Sequence, residues 1–360
     1  MTTTAPPPTT PPATPHLPLR SARLPRSAPA LVAVASLAAA GVLALLLGWG
    51  IIAWAVVAGL LHLVAITVWS RAVENPRAAT DRFVTSLIWM ALIIAFVPLV
   101  SLLYIVVENG AGQIDGQFLT YSMRNVVGEG GGIYHSLVGT LLITLGATVI
   151  SVPIGLMTSI YLVEYGARSK VAGWIRFLVD VMTGIPSIVA GLFAFALFAL
   201  IFNDPGIHFG IGGSVALSLL MIPIVVRSAE EMLKLVPGDL REASYALGVP
   251  KWRTIVKVVI PTALPGIITG VTLAVSRVIG ETAPLLIIAG STDSSNFNLF
   301  GGQMSTLPVF IYYSYTQPGL NPEFAQGRAW GAALVLIVIV MLLNLLARVL
   351  GKAFAPKTGR

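Results

Sequence analysis

The sequence is organised around long stretches that carry almost no charged side chain. A helix needs about 20 mainly apolar residues to cross the hydrocarbon core of a bilayer. Stretches of this kind predict about eight membrane-spanning helices, at residues 31–48, 51–70, 86–107, 137–162, 176–202, 213–228, 262–289 and 330–350. An all-α, polytopic membrane protein is therefore expected.

The composition excludes several other classes of protein. Of the 360 residues, 56% are apolar and only 10% are charged, whereas a soluble domain carries about 25% charged residues. Cysteine is absent, and the four histidines are too scattered for a metal site. Since no nucleophile–base pair occurs at a motif spacing, we expect no catalytic site and no metal or cofactor on this chain.

The distribution of basic residues predicts the orientation of the spans. If the N-terminus is cytoplasmic, the inside segments hold 19 of the 22 basic residues; Arg124 and Arg328 fall outside, and Arg277 falls within a span. Both termini are thus predicted to be cytoplasmic. The net charge of +7 is explained by topology and lipid headgroups, without nucleic acid. The outside loops 108–133 and 290–329 either dock an extracytoplasmic partner or are plain connectors.

The chain divides by composition into a tail, a hairpin and a larger membrane domain. Residues 1–30, rich in Pro, Thr and Ala, predict a disordered cytoplasmic tail. Residues 31–75 predict an N-terminal helical hairpin with a tight turn at Gly48. Residues 86–350 form the predicted larger membrane domain, with the cytoplasmic loop 229–261 within it, and residues 351–360 form a cytoplasmic tail. The 262–289 stretch would measure about 42 Å as a helix, so a bend is expected at Pro265 or Pro284.

The largest cytoplasmic loop, residues 229–261, predicts two short helices joined by a sharp turn. Asp239 is a candidate N-cap, and Glu242 completes a capping-box-like pair. The first helix is expected to run to about Leu247 and to end at Gly248 in the left-handed conformation. Pro250 then suits the first turn of the second helix. On physics alone the loop is either a docking element, with small residues Ala243, Ser244 and Ala246 for close approach, or an amphipathic helix on the headgroups.

This loop resembles the cytoplasmic signature of ATP-binding-cassette importer permeases. In that signature Glu-Ala-Ala is followed by Gly and, further on, by Leu-Pro. Four residues are in register and three depart conservatively: Glu242, Ala243, Gly248 and Pro261, then Ser244, Val258 and Ile260. The resemblance implies that the short helix docks on a separate ATPase subunit. No GxxxxGK[ST] sequence occurs here, so ATP and Mg²⁺ are expected on that partner.

A second group of candidate site residues lies near the end of the 262–289 stretch. Arg277 and Glu281 are four residues apart and Thr282 follows. Charges within the hydrocarbon core persist when they face the protein interior or a water-filled path. The alternative is a self-satisfied i,i+4 ion pair that locks helix packing. Asp180, four residues after Arg176, is expected to form an interfacial pair with it rather than to act in transport.

Three runs of sequence are similar to phosphate-specific permeases of the PstA type. These are residues 276–285 (Ser-Arg-Val-Ile-Gly-Glu-Thr-Ala-Pro-Leu), 131–140 and 184–191. The resemblance covers about residues 86–350. It implies a type I importer of the bacterial plasma membrane, in which Arg277, Glu281 and Thr282 are candidate substrate-translocation residues. The guanidinium of Arg277 matches phosphate oxygens, and we expect Glu281 to hold Arg277 when the pathway is empty. It also implies a PstC-like second permease, a PstB-like ATPase dimer and a PstS-like phosphate-binding protein outside the membrane. The two spans before residue 75 exceed the six usual in that family.

Two other readings of the sequence stay open at this stage. The cargo of an importer is open, because only the 276–285 run separates phosphate from molybdate, sulfate or a small amino acid. A stand-alone channel or secondary transporter would be a different class, and it would transport without an ATPase subunit. The signature in residues 242–261 argues against that second class.

Overall fold

The computed structural model describes residues 23–166 and 169–353, and these residues contain helices and no strand. The long helices are α1 (Ala28–Leu47), α2 (Ile51–Val73), α3 (Pro76–Gly110), α5 (Tyr134–Ile160), α8 (Gly210–Lys234), α11 (Ile260–Val278) and α14 (Pro322–Ala353). The shorter ones are α4 (Gly116–Thr120), α6 (Lys170–Thr183), α7 (Ser187–Phe202), α9 (Gly238–Ala246), α10 (Lys251–Thr254), α12 (Ala283–Ile288) and α13 (Leu307–Thr316). The all-α fold class is confirmed.

Seven helices in the described part of the chain are long and apolar enough to span a membrane, and a bent pair brings the number to eight. The boundaries differ from prediction at both ends of the chain. Helix α1 already begins at Ala28, within the predicted tail, and α14 runs to Ala353. The expectations for residues 1–22, for Arg168 and for 354–360 lie outside the described residues.

The contact pattern divides the chain into two units, Met1–Leu102 and Leu103–Arg360. In the first unit, α1 and α2 form a hairpin. Gly48 ends α1 at φ +66°, a left-handed conformation that glycine adopts without a Cβ clash. The indole Nε1 of Trp54 donates a hydrogen bond to the Leu37 carbonyl at 3.1 Å. Most of α3 belongs to the same unit.

The second unit is built around helices α5, α8 and α11. Its main apolar core contains residues from these helices and from α12, including Ile143, Ala147, Leu217, Met221, Val225, Ala274, Val278 and Leu285. Helices α5 and α8 approach closely because small residues face each other. The hydroxyl of Ser214 donates to the Ile143 carbonyl at 3.0 Å. Small residues and interhelical hydrogen bonds are what hold helices together in lipid, where apolar contact alone gives little preference.

The predicted 176–202 span is wrong as a single helix. The segment consists of α6 and α7, which are bent by 108° at residues 184–186. Pro186 lacks an N–H and disfavours a helical conformation at Ile185, so the helix cannot continue through this point. Ser169 caps the start of α6 by accepting a hydrogen bond from the Val171 N–H at 3.2 Å.

The 262–289 stretch also differs from the prediction of one bent span. A continuous helix of 28 residues runs from Lys251 to Val278 and passes through Pro265 without a break. The break falls at residues 279–282, and α12 then starts with Pro284 in its first turn, where a missing N–H costs nothing. The expected change of direction is therefore present, but it lies just before Pro284.

We predict that the packing of α7 on α12 depends on Gly191. A Cβ at this position would lie 2.6 Å from the Pro284 Cα, so Gly191→Ala should destabilise the folded protein by about 1–3 kcal/mol through overpacking. Gly173→Ala is the matched control, because a Cβ there meets nothing within 4 Å. The readout is the thermal unfolding midpoint of the purified chain. Equal midpoints for the two variants would contradict the prediction.

Candidate functional site

The segment between α8 and α10, residues 235–250, is called the connector here, and it contains α9. Pro237 precedes α9 with an extended ψ of 137°, and no side chain caps the helix. The predicted capping box is wrong, because the helix starts at Gly238 and places Asp239 inside its first turn. There the carboxylate still lies near the positive end of the helix dipole. Gly248 has φ +74°, as its predicted role at the sharp turn requires.

Arg241 anchors the connector to the ends of two long helices. Its Nε and Nη2 donate to Glu164 Oε1 at 3.0 and 2.8 Å. Its guanidinium also donates to the carbonyl of Val236 at 2.7 Å and to that of Leu233 at 2.9 Å. The side chains of Arg241 and Glu164 are only 18% and 5% exposed. No spacing in the sequence indicates this pair, because its members are 77 residues apart.

A second buried contact joins α9 to α10. The hydroxyls of Ser244 and Thr254 are 2.8 Å apart, and both residues are buried. The prediction that Ser244 is one of the small residues facing a partner is wrong. Ser244 faces inward, whereas Ala243 and Ala246 are exposed. A serine at this position therefore supplies a hydrogen bond within the connector.

The outward side of the connector carries an exposed apolar face. Leu240 and Tyr245 are each 41% exposed, Leu247 is 83% exposed, and Trp252 follows at 58%. Glu242 is exposed beside them. We call Leu240, Tyr245, Leu247 and Trp252 the connector face. Several exposed large apolar side chains in one short segment are typical of a protein interaction site.

The helix that leaves the connector begins with an irregular turn. Residues Ile255–Val259 form a π turn between α10 and α11, and Pro261 follows in the first turn of α11. A proline clashes with the carbonyl four residues earlier in a regular α-helix, and here that carbonyl belongs to Lys257, inside the wider turn. The end of α5 has a π turn too, at Tyr161–Tyr165, and Glu164 lies in it. Both anchors of the connector are thus next to π turns, which often occur at functional sites.

The i,i+4 ion pair, the alternative to a transport role for Arg277 and Glu281, is absent within the described residues. Helix α11 ends at Val278, so the two side chains do not share a helical face. Arg277 is exposed in the last turn of the helix, and Glu281 is half-buried in the break that follows. Thr282 is the N-cap residue of α12, with no side-chain capping bond. The hydroxyl of the neighbouring Ser276 is buried and has no partner in the described part of the chain.

Glu230 is the centre of a network of charges between α6 and α8. It is buried, and it contacts Lys234 at 2.8 Å, Arg176 at 3.3 Å and Arg227 at 3.6 Å. Asp180 pairs with Arg227, so the predicted pairing of Asp180 with Arg176 is wrong. The helical spacing suggested a local partner, but Arg176 points across to α8. The network ends at Lys234, the last residue of α8 before the connector.

These features define the class: a multi-pass helical permease in which a short helix between two spans presents an interaction face. The family model of the binding-protein-dependent transport system inner membrane component matches residues 151–360. A chain of the MetNI methionine ABC transporter, in an inward-facing conformation, has the same fold, with a TM-score of 0.51 and 21% identity over 67% of this chain and 100% of that chain.

Curated relatives narrow the family further. The chain is 46% identical over 275 residues to the phosphate transport system permease protein PstA 1 of Mycobacterium tuberculosis (strain CDC 1551 / Oshkosh), covering 75% of this chain and 88% of the relative. It is 44% identical to the PstA of Yersinia pestis, over 63% of this chain and 74% of the relative. The chain belongs to the binding-protein-dependent inner membrane components, in the PstA-type family of permeases, and the sequence-based resemblance is confirmed.

We predict that Arg241→Gln will release α9 from the ends of α5 and α8. Removing one partner of a buried ion pair costs about 3–5 kcal/mol, so hydrogen exchange of residues 238–246 should accelerate by about 100-fold or more. Arg253→Gln, at an exposed position on α10, is the control and should leave this exchange unchanged. Unaltered protection of α9 in the Arg241 variant would show that the pair does not hold the connector.

Proposed function

We propose that this chain is the permease subunit that carries inorganic phosphate in an ATP-driven importer, and that the connector couples it to the ATPase. The cargo is supported by the relatives, which are phosphate transport system permease proteins, and by the 276–285 run. The observation that carries the coupling role is the connector face, an exposed apolar surface on a helix that is fixed from behind by Arg241.

The ATPase is a separate chain in this proposal, and ATP and Mg²⁺ belong to it. The connector face provides the apolar contacts with the ATPase, and the small side chain of exposed Ala243 allows the ATPase to approach α9 closely. Asp239 and Glu242, both exposed, add negative charge at the rim of the same surface. Gly248 and Pro261 act indirectly, because Gly248 sets the turn and Pro261 follows the π turn.

The connector can pass a displacement to three long helices. Arg241 links α9 to the ends of α5 and α8, and the Ser244–Thr254 contact links it to the helix that begins at Lys251. That helix is continuous to Val278, a length of about 42 Å. A displacement of α9 by a closing ATPase dimer is therefore transmitted to Arg277 along this one continuous helix, Lys251–Val278.

Arg277 is the residue that we assign to the phosphate. A guanidinium presents a planar fork of donors that matches two oxygens of a phosphate. Thr282, in the break beside it, offers a hydroxyl donor. Glu281 places a negative charge nearby, which favours release of the anion. Since Glu281 does not engage Arg277 in this structure, the guanidinium is open to a ligand.

The remaining parts of the assembly follow from the same proposal. A PstC-like permease completes the pathway, a PstB-like dimer hydrolyses ATP, and a PstS-like protein delivers phosphate from outside. Both termini and the connector lie in the cytoplasm, as the distribution of basic residues predicts.

We predict that Leu247→Asp will uncouple the chain from its ATPase. A charge in the centre of an apolar contact is desolvated without a partner, so capture of the ATPase by the tagged permease should fall by about ten-fold or more. Leu320→Asp is the matched control, because Leu320 is 91% exposed in the predicted outside loop. If both variants capture the ATPase equally, the connector face is not the docking surface.

We predict that Arg277→Gln will reduce phosphate uptake by about 10- to 100-fold, since a hydrogen bond to a charged group contributes about 1.5–3 kcal/mol. Uptake is measured in proteoliposomes that contain the assembled complex, with sulfate and molybdate as competitors. Arg124→Gln, an exposed arginine in the other predicted outside loop, should transport normally. Normal uptake by the Arg277 variant would remove this residue from the pathway, and strong inhibition by sulfate or molybdate would contradict phosphate as the cargo.

A further inference from the structure

The first unit contains a half-open cavity, far along the chain from the connector and from Arg277. It has a volume of about 1210 Å³ and lies between α1, α2 and α3, and all of its lining residues belong to the first unit. We call it the α1–α3 cavity. It is formed by the two additional helices together with the next span, so it is a property of the N-terminal extension.

Most of the wall of the α1–α3 cavity is apolar. The side chains that form it include Ala33 and Leu37 of α1, Ala55 and Leu60 of α2, and Ile93 and Val97 of α3. On α3 the lining extends from Ala78 to Pro98, a rise of about 30 Å. That length equals the thickness of the hydrocarbon core, about 30 Å, so the cavity suits an elongated apolar group.

One end of the cavity is charged, and a single carboxylate organises it. Glu74 accepts two hydrogen bonds from Arg82, each at 2.7 Å, one from the Ser70 hydroxyl at 2.6 Å and one from the Leu24 N–H at 2.9 Å. The Arg82 guanidinium, with the Ser70 hydroxyl, lowers the pKa of Glu74 from its usual 4.5 to about 2. The carboxylate is therefore ionised at neutral pH. It connects the segment before α1, through Leu24, with the end of α2, through Ser70, and with the start of α3, through Arg82.

The same end carries a surplus of positive charge. Helix α1 starts, α2 ends and α3 starts there, and four exposed arginines lie in these short segments: Arg23, Arg26, Arg71 and Arg77. The exposed acid among them is Asp81, because Glu74 is matched by Arg82. An anion is therefore attracted to this end by the three positive charges in excess. Of these charged residues, Arg23 and Asp81 line the cavity itself.

We propose that the α1–α3 cavity binds one anionic phospholipid, with its acyl chains along the apolar wall and its phosphate at the arginine end. The match is one of shape and of charge. An elongated apolar cleft that ends in cationic side chains at the level of the headgroups complements an anionic amphiphile. Basic pockets between membrane-spanning helices are typical binding sites for anionic headgroups. In this proposal the hairpin of α1 and α2, together with α3, forms a binding site for one lipid molecule.

The test is native mass spectrometry of the purified full-length chain, with phosphatidylglycerol and phosphatidylcholine of identical acyl chains added in mild detergent. We expect one phosphatidylglycerol to be retained at least ten-fold better than phosphatidylcholine. Arg23→Gln should lower this preference about five-fold, the contribution of one cation at an anionic headgroup. Equal retention of the two lipids by the unmodified chain would overturn the proposal.

Two filling variants locate the bound lipid. Ala33→Phe and Ala55→Phe place a ring into the cavity, and both should abolish retention of phosphatidylglycerol. Their matched controls are Ala35→Phe and Ala65→Phe, at exposed positions on the same helices that do not line the cavity, and these should retain the lipid. A thermal unfolding midpoint equal to that of the controls verifies folding. Retention by the filling variants, or loss from them of a co-purified protein instead of a lipid, would overturn the proposal.

Discussion

The lack of water in the hydrocarbon core is the constraint on which this structure depends. Every backbone N–H and C=O at that depth must find a partner within the protein, so the chain crosses as helices. Each departure from regular helix therefore needs a local reason. The bend of 108° occurs at Pro186, and the break after Val278 lies where α12 packs into the core through Leu285. The two π turns are adjacent to the connector.

Polar contacts concentrate at the end of the second unit that carries the connector. Glu230 forms ion pairs with three basic side chains. Arg241 donates hydrogen bonds to one carboxylate and two carbonyl groups. Such contacts are costly to break singly, so they define a stiff framework rather than a hinge. In that framework α9 is held on its inner side while its apolar side chains stay exposed. A surface of this kind can receive a force without deforming, which is the mechanical requirement for coupling.

The sequence predicted the helical class and the αL turn at Gly248, because each depends on composition or on one residue's local conformation. It failed where a partner lies far away along the chain. The contact of Arg241 with Glu164, the pairing of Asp180 with Arg227 and the inward direction of Ser244 depend on how three helices pack. The alternative of an Arg277–Glu281 ion pair relies on helical spacing, and the end of α11 at Val278 removes the helix on which that spacing depends. The capping box failed because Pro237 starts α9 earlier than Asp239.

The two π turns have a consequence for how these helices present their side chains. A π turn holds one residue more than a regular turn, and one residue corresponds to about 100° of rotation in an α-helix. Side chains before and after residues 161–165 and 255–259 are therefore out of phase with a single helical wheel. A wheel drawn through the whole 134–165 helix would assign Glu164 to the wrong face. The insertion rotates this acid out of register with the lipid-facing stripe, which explains how a charged residue ends a long apolar helix while remaining enclosed by protein.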